Sequence, residues 1–146
     1  MNRRTPPLGE GPGQAPPVVL VVDDDEVIRD VIGEQLVLLG YEVLTAADGE
    51  EALRIFQEQS AGIALVLLDY AMPRMDGLTL LSHLRRIKPG IPVILASGFI
   101  GELDCRGASE KPTSFLTKPF RFEKLREQVK RLIGESVEAG VARPAA

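Results

Sequence analysis

Carboxylate, hydroxyl and ammonium side chains follow short apolar segments at four places in this 146-residue chain. The acidic pair Asp23 and Asp24 follows the first segment and Asp69 the third, whereas Ser97 and Lys118 end the last two. Clustered carboxylates repel one another and favour a bound cation, and their oxygens are ligands that Mg²⁺ prefers. Carboxylates, a hydroxyl, an ammonium and a divalent cation are together the parts needed to hold a phosphoryl group during transfer.

The elements that must position these residues alternate between two patterns. Apolar runs predict strands at 18–22, 64–68 and 93–96, with weaker strand candidates at 41–46 and 115–117. Helical spacing of apolar residues predicts helices between and after them, marked by Ile28, Ile32, Leu36 and Leu39, by Ala52 and Phe56, by Leu78, Leu81 and Leu84, and by Phe122, Leu125, Val129 and Leu132. A strand–helix unit repeated about five times predicts a parallel sheet with helices on both faces.

We therefore expect an α/β fold of the flavodoxin-like, doubly wound kind, with five parallel strands in the order 2-1-3-4-5. Ligands of such sheets bind beyond the carboxyl ends of the strands, where the strand order reverses. Asp23, Asp24 and Asp69 should then lie together, with Ser97 and Lys118 beside them. An acidic run after a strand is often only a solvated helix start, but the arrival of all five residues at one edge favours a site.

The composition predicts one domain with a tail at each end. Residues 18–133 form the predicted domain, residues 1–17 a disordered arm rich in Pro and Gly, and residues 134–146 a disordered tail. The net charge of −4 does not indicate a nucleic-acid partner. The single cysteine cannot form an internal disulfide, and no apolar run approaches the about 20 residues that cross a membrane. We therefore expect a cytoplasmic protein with neither a nucleic-acid nor a membrane partner.

Four segments of the chain resemble the receiver domains of response regulators in two-component phosphorelays. They read Val-Leu-Val-Val-Asp-Asp-Asp-Glu at 19–26, Leu-Asp-Tyr-Ala-Met-Pro-Arg-Met-Asp-Gly at 68–77, Ile-Leu-Ala-Ser-Gly at 94–98 and Phe-Leu-Thr-Lys-Pro-Phe at 115–120. The resemblance covers about residues 18–133. The Asp-x-x-Met-Pro-x-Met-Asp-Gly motif at 69–77 is its most specific part.

The resemblance implies a phosphoacceptor and a metal site. Asp69 is the expected nucleophile, which takes a phosphoryl group from a phosphohistidine to give an acyl phosphate. The expected Mg²⁺ ligands are Asp23, Asp24, Asp69 and the backbone carbonyl of Ala71, with the acidic pair acting directly or through water.

The resemblance also implies roles for residues near the last two strands. Ser97 is expected to donate a hydrogen bond to the phosphoryl group and Lys118 to pair with it. Phe115 matches the aromatic switch whose rotamer follows phosphorylation, and Pro119 matches a proline that follows a cis peptide bond.

One stretch departs from the family pattern. Residues 100–114 contain two glycines and Pro112 and lack an apolar stripe, which predicts an irregular or short fourth helix. The Ser-Gly-Phe sequence at 97–99 is more typical of receivers attached to hybrid histidine kinases, so a stand-alone receiver and one from a hybrid kinase both remain open. We expect a histidine kinase or a histidine phosphotransfer protein as donor, a protein as target, no output domain and no enzymatic activity beyond the protein's own phosphorylation and dephosphorylation.

Two other functions fit parts of the sequence. The run Asp23-Asp24-Asp25-Glu26-Val27 resembles the Asp-x-Asp-x-Thr/Val motif of phosphatases of the haloacid-dehalogenase type. That family needs a second acidic pair, which the chain lacks after Lys118, and it does not account for the motif at 69–77. A receiver that is never phosphorylated and acts only by docking is the other alternative, although every expected site position carries a functional residue type.

Overall fold

The computed structural model describes residues 15–98 and 110–141, with the backbone alone for residues 135–141. The strands are β1 (Val18–Val22), β2 (Glu42–Ala46), β3 (Ile63–Asp69), β4 (Val93–Ser97) and β5 (Ser114–Thr117). The α-helices of the described residues are α1 (Glu26–Leu38), α2 (Gly49–Gln59), α3 (Gly77–Ile87) and α4 (Phe122–Val141), and a 3₁₀ turn spans Ser60–Gly62. None of these helices is both long and apolar enough to cross a membrane.

The five strands form one parallel sheet in the order β2-β1-β3-β4-β5. This confirms the predicted flavodoxin-like strand order and places β1 beside β3. In the register of this pair Val22 lies opposite Leu68, so the residues that follow them, Asp23 and Asp69, reach the same edge of the sheet. In the pair formed by β4 and β5, Ser97 lies opposite Thr117, which brings Lys118 to that edge as well.

Both faces of the sheet are covered by helices. Val18, Leu20 and Val22 pack with α2 and α3 on one face, whereas Val19 and Val21 pack with α1 and α4 on the other. Since side chains of a strand alternate between its faces, a strand buried on both sides has no polar positions. This is why β1 appears in the sequence as an unbroken apolar run.

A carboxylate caps each of the first three helices. Asp25 accepts hydrogen bonds from the first turn of α1, Asp48 from the N–H of Glu51 in α2, and Asp76 from the N–H of Thr79 in α3. Each such cap typically contributes about 1 kcal/mol. All three caps belong to loops that leave the carboxyl ends of strands, so they help to fix the loops that surround the predicted site.

Burial and helical structure continue beyond the ends of the predicted domain, residues 18–133. Pro16 is buried and the carbonyl of Pro17 accepts a hydrogen bond from Glu42, so part of the predicted arm belongs to the fold. At the other end α4 continues to Val141, although a tail was predicted from Gly134. Each of the two glycines in this stretch, Gly134 and Gly140, costs a helix only about 1 kcal/mol, and no proline occurs between Gly134 and Pro144. Residues 1–14 and 142–146 lie outside the described residues.

The irregular or short fourth helix was predicted within residues 100–114, between β4 and β5, and is a different segment from the helix labelled α4. Most of that stretch falls in residues 99–109, which lie outside the described residues. The residues just after them, 110–113, are not helical. Arg85 of α3 holds this segment through Glu110, at 3.1 Å, and the hydroxyl of Thr113, at 3.2 Å.

The fold is tightly packed behind the site at Gly77, the first residue of α3. A Cβ there would lie 2.9 Å from both the Asp69 carbonyl oxygen and the Tyr70 Cα. Because backbone atoms cannot yield easily, we expect Gly77→Ala to lower the free energy of unfolding by about 1–3 kcal/mol. Urea denaturation measures this. Gly90→Ala is the control, since a Cβ at Gly90 meets nothing within 4 Å, and equal losses in the two variants would contradict the expectation.

Candidate functional site

Three carboxylates from two neighbouring strands meet at the carboxyl edge of the sheet. Asp23, Asp24 and Asp69 each offer an oxygen, and these oxygens lie within 4.8 Å of one another. Asp23 and Asp69 are 3% and 7% exposed, whereas Asp24 is exposed. The structure therefore brings together the acidic residues that the sequence predicted to cluster.

Lys118 joins the two buried carboxylates. Its Nζ lies 2.8 Å from Asp23 Oδ2 and 3.1 Å from Asp69 Oδ1. Its backbone N–H donates to the carbonyl of Ser97 at 2.7 Å, which ties the ends of β4 and β5 together. Ser97 itself is buried at this edge, and the peptide bond between Lys118 and Pro119 is cis, as the resemblance to receiver domains implied.

The carboxyl of Asp69 and the ammonium of Lys118 both have shifted pKa values. Burial raises the pKa of the Asp69 carboxyl above its usual range; the carboxylates of Asp23 and Asp24 add to the rise and Lys118 opposes it. Burial lowers the pKa of Lys118, but its hydrogen bond to Asp23 and the charges of Asp69 and Asp23 outweigh burial, so that pKa lies above its usual value. Lys118 is therefore a cation at neutral pH. The ionised form of Asp69, in contrast, is disfavoured by burial and by the neighbouring carboxylates.

Asp23 is fixed on every side. Its N–H donates to the Ala46 carbonyl at 3.1 Å, and its own carbonyl accepts from Arg29 Nη1 at 2.8 Å. Its Oδ1 accepts from the Asp25 N–H at 2.9 Å, while Oδ2 accepts from Lys118. Arg29 was not predicted to belong to the site. It lies in α1, and nothing in its position in the sequence indicates that it contacts the Asp23 carbonyl.

The donor set suits a hard divalent cation. The clustered ligand atoms are carboxylate oxygens, which match the oxygen ligation of Mg²⁺ rather than the nitrogen and sulfur ligation typical of zinc. Asp24 is exposed to incoming ions, whereas both oxygens of Asp23 already accept hydrogen bonds. Direct ligation by Asp24 and Asp69, with Asp23 acting through a water, disturbs the fewest of these bonds.

The loop after β3 carries Ala71, which is exposed two residues beyond Asp69. At the tip of this loop the Met75 N–H donates to the Pro73 carbonyl at 2.7 Å, and Arg74 between them has a φ of 70°. Such a γ turn is rare, and the left-handed region costs a residue other than glycine roughly 1–2 kcal/mol. Arg74 forms an ion pair with Asp48 at 3.2 Å. Arg74 was not predicted to take part in a contact near the site.

Phe115, the predicted switch, lies on the edge strand β5 and is 39% exposed. Its carbonyl accepts a hydrogen bond from Gln128 Nε2 of α4 at 2.9 Å. The structure describes one position of this side chain, so its role as a switch stays a prediction.

The raised pKa of Asp69 predicts a pH-dependent cost in stability. Because the folded-state pKa exceeds the unfolded value, the folded protein binds more protons between the two, and the free energy of unfolding falls as pH rises through that window. Asp69→Asn cannot ionise, so without divalent cations at pH 7 we expect it to melt at a higher temperature than the unchanged protein. The gain should shrink as the pH is lowered.

Asp76→Asn is the control for this measurement, since Asp76 is exposed and asparagine also caps helices. Its melting temperature should stay close to that of the unchanged protein. A lower melting temperature of Asp69→Asn at pH 7 would contradict the electrostatic account.

Curated proteins similar to this chain include regulators and a kinase. A probable transcriptional regulator, ycf27, of Cyanophora paradoxa is 38% identical over 117 residues, which cover 79% of this chain and 47% of that protein. The sensor kinase CckA of Brucella abortus is 37% identical over 116 residues, which cover 79% of this chain and 12% of that protein. The chain spans about half the length of this ycf27 regulator and far less of the kinase.

A solved structure and a family model agree with these relatives. The response regulator protein TrrA of Thermotoga maritima, crystallised in complex with Mg²⁺-BeF, is 36% identical with a TM-score of 0.71, covering 80% of this chain and 98% of that one. Residues 19–130 match the model of the family described as response regulator receiver domain. Since that match takes in β2 to β5, all of β1 but its first residue, and the whole acidic cluster, this chain belongs to the receiver-domain family of two-component response regulators.

Proposed function

We propose that this receiver domain accepts a phosphoryl group on Asp69, with Mg²⁺ as cofactor, and relays the signal to a protein partner. The observation that carries the proposal is the contact of Asp69 Oδ1 with Lys118 Nζ at 3.1 Å, inside a cluster of three carboxylates. This arrangement combines a nucleophile, a fixed cation and oxygen ligands for a metal ion at one edge of the sheet.

In the proposed reaction an Asp69 oxygen forms a bond with the phosphorus of a donor's phosphohistidine. The bond from phosphorus to the imidazole nitrogen breaks, and the imidazole takes up a proton from solvent as it leaves. Lys118 offsets the charge on the phosphoryl oxygens, and Ser97 donates a hydrogen bond to one of them. Such transfers depend mainly on positioning and on neutralised charge.

Mg²⁺ would supply further neutralisation of the phosphoryl oxygens. Asp24, Asp69 and the Ala71 carbonyl would hold it, with Asp23 acting through a water. The crystallisation of the Thermotoga maritima relative with Mg²⁺-BeF supports this assignment, as does the carboxylate donor set.

The geometry counts against the alternative that this chain is a phosphatase. In the Asp-x-Asp motif of that family, Asp23 would be the nucleophile and Asp25 its acidic partner. Both oxygens of Asp23 already accept hydrogen bonds, and Asp25 Oδ1 caps α1 through Val27 and Ile28. We therefore infer a signalling phosphoacceptor that does not turn over substrates, and no sustained release of product from p-nitrophenyl phosphate is expected.

A groove of about 460 Å³ beside Lys118 supports a protein as the phosphoryl donor. Val27 and Val31 of α1 line one side, with exposures of 70% and 48%, and Pro119 and Phe120 line another. A phosphohistidine can reach Asp69 only if its protein approaches this edge of the sheet. The apolar groove, continuous with Lys118, would then receive the surface around that histidine. The kinase or phosphotransfer protein, the downstream target and the cytoplasmic location remain predictions.

Acetyl phosphate with Mg²⁺ tests the phosphoacceptor directly. We expect the unchanged protein to gain the mass of one phosphoryl group and Asp69→Asn to gain none, because the nucleophile is lost. Intact-mass spectrometry measures this. Asp76→Asn in the same loop is the matched control and should be labelled normally. Equal labelling of Asp69→Asn would show that Asp69 is not the acceptor.

Val31→Asp tests the groove separately from the chemistry. A charge placed in an apolar interface leaves an unpaired ion on docking, so transfer from a phosphorylated histidine protein should slow about tenfold or more. Labelling by acetyl phosphate, which needs no docking, should not change. The matched control is Leu38→Asp, at the far end of α1 and 82% exposed. Equal slowing by both variants, or slower labelling by acetyl phosphate, would contradict docking in the groove.

A further inference from the structure

The loop between β3 and α3 is held from the side of α2 as well as by its own strand. Arg74 Nη2 lies 3.2 Å from Asp48 Oδ2, across 26 residues of sequence. Beside this ion pair Met75 approaches Gly49 so closely that a Cβ on Gly49 would lie 2.7 Å from Met75 Sδ. The first residues of α2 therefore contact the tip of the loop that carries the expected metal ligand.

Arginine is not the residue that stability alone favours at this tip. Position 74 has a φ of 70°, which glycine adopts without strain and other residues adopt at a cost. The Arg74 side chain is 67% exposed, and exposed ion pairs contribute little to folding. Residues held in strained backbone conformations cluster at functional sites. The ion pair is therefore better explained by its effect on the loop than by a contribution to stability.

Few soft dihedral angles separate Arg74 from the carbonyl of Ala71. Pro73 has a fixed φ, and Met72, which is buried, is restricted because it precedes a proline. The Gly77 N–H closes the base of the loop by donating to the Tyr70 carbonyl at 2.8 Å. A displacement of the turn at Arg74 must therefore move the Ala71 carbonyl as well.

We propose that Asp48 and Arg74 are a positioning pair for the metal site. Their ion pair holds the strained turn in place and thereby keeps the Ala71 carbonyl where it completes the set of oxygen ligands from Asp24 and Asp69. Neither member of the pair touches the metal. This inference rests on the proposed function, since ligation by the Ala71 carbonyl is part of that proposal.

Charge effects and positioning predict different results for two substitutions. Arg74→Gly removes a cation near the site, so charge alone would strengthen Mg²⁺ binding, whereas Asp48→Asn removes an anion and charge alone would weaken it. Loss of positioning weakens binding in both variants. Neither substitution should unfold the protein, because glycine suits the φ at position 74 and asparagine can still cap α2.

The experiment is a calorimetric Mg²⁺ titration of the full chain, its two single variants and the double variant, with thermal unfolding measured without Mg²⁺. We expect both single variants to bind Mg²⁺ more weakly, by up to about tenfold, the lower end for groups that orient metal ligands. Arg74→Gly should nevertheless melt at the same or a higher temperature. The double variant should bind no more weakly than the weaker single variant, because both substitutions break one interaction.

Three results would overturn the positioning pair: tighter binding by Arg74→Gly, unchanged binding in both single variants, or losses that add in the double variant. Asp24→Asn, which removes an expected ligand, calibrates how large a loss the titration detects. If the unchanged protein binds Mg²⁺ and is labelled on Asp69, any of these results contradicts this inference alone. Failure of the unchanged protein to bind Mg²⁺ would overturn the proposed function together with it.

Discussion

The crowding of three carboxylates at one edge of the sheet is the constraint on which the rest of the site depends. Asp23 and Asp69 are buried and share a single ammonium, that of Lys118. Buried charges are costly unless they are paired, and Lys118, the cation that pairs with these carboxylates among the described residues, cannot by itself balance three anions. The cluster is therefore poised to bind a further cation. A metal ion bound there would relieve the repulsion and, under the proposed function, would prepare the edge for an anionic phosphoryl group.

The architecture around the cluster keeps this strained arrangement in place. Parallel strands bring their carboxyl ends to one edge, and the reversal of strand order between β1 and β3 opens a crevice there. Arg29 holds the main chain at Asp23, and the N–H of Lys118 ties β5 to β4. Backbone contacts and buried strands thus hold the carboxylates close together despite their repulsion.

The strand order and the meeting of the acidic residues could be predicted from the sequence pattern, whereas the cis bond before Pro119 was implied only by the family resemblance. Apolar runs are local signals, and the rule for strand ends places the residues that follow them. The contacts of Arg29 with Asp23 and of Arg74 with Asp48 could not be predicted, because they depend on loop conformations that no periodicity encodes. The predicted tail begins at Gly134, whereas α4 continues to Val141. Composition alone does not exclude a helix there, because each of Gly134 and Gly140 costs it only about 1 kcal/mol.

We propose that a cation must neutralise the carboxylate cluster before Asp69 can accept a phosphoryl group. Phosphoramidate, whose phosphorus–nitrogen bond resembles that of phosphohistidine, allows this to be measured as the rate of labelling against Mg²⁺ concentration. We expect negligible labelling in excess chelator and a labelling rate that saturates with Mg²⁺, with half the maximal rate at the dissociation constant found by direct binding. Labelling of Asp69 at a rate independent of Mg²⁺ would contradict it.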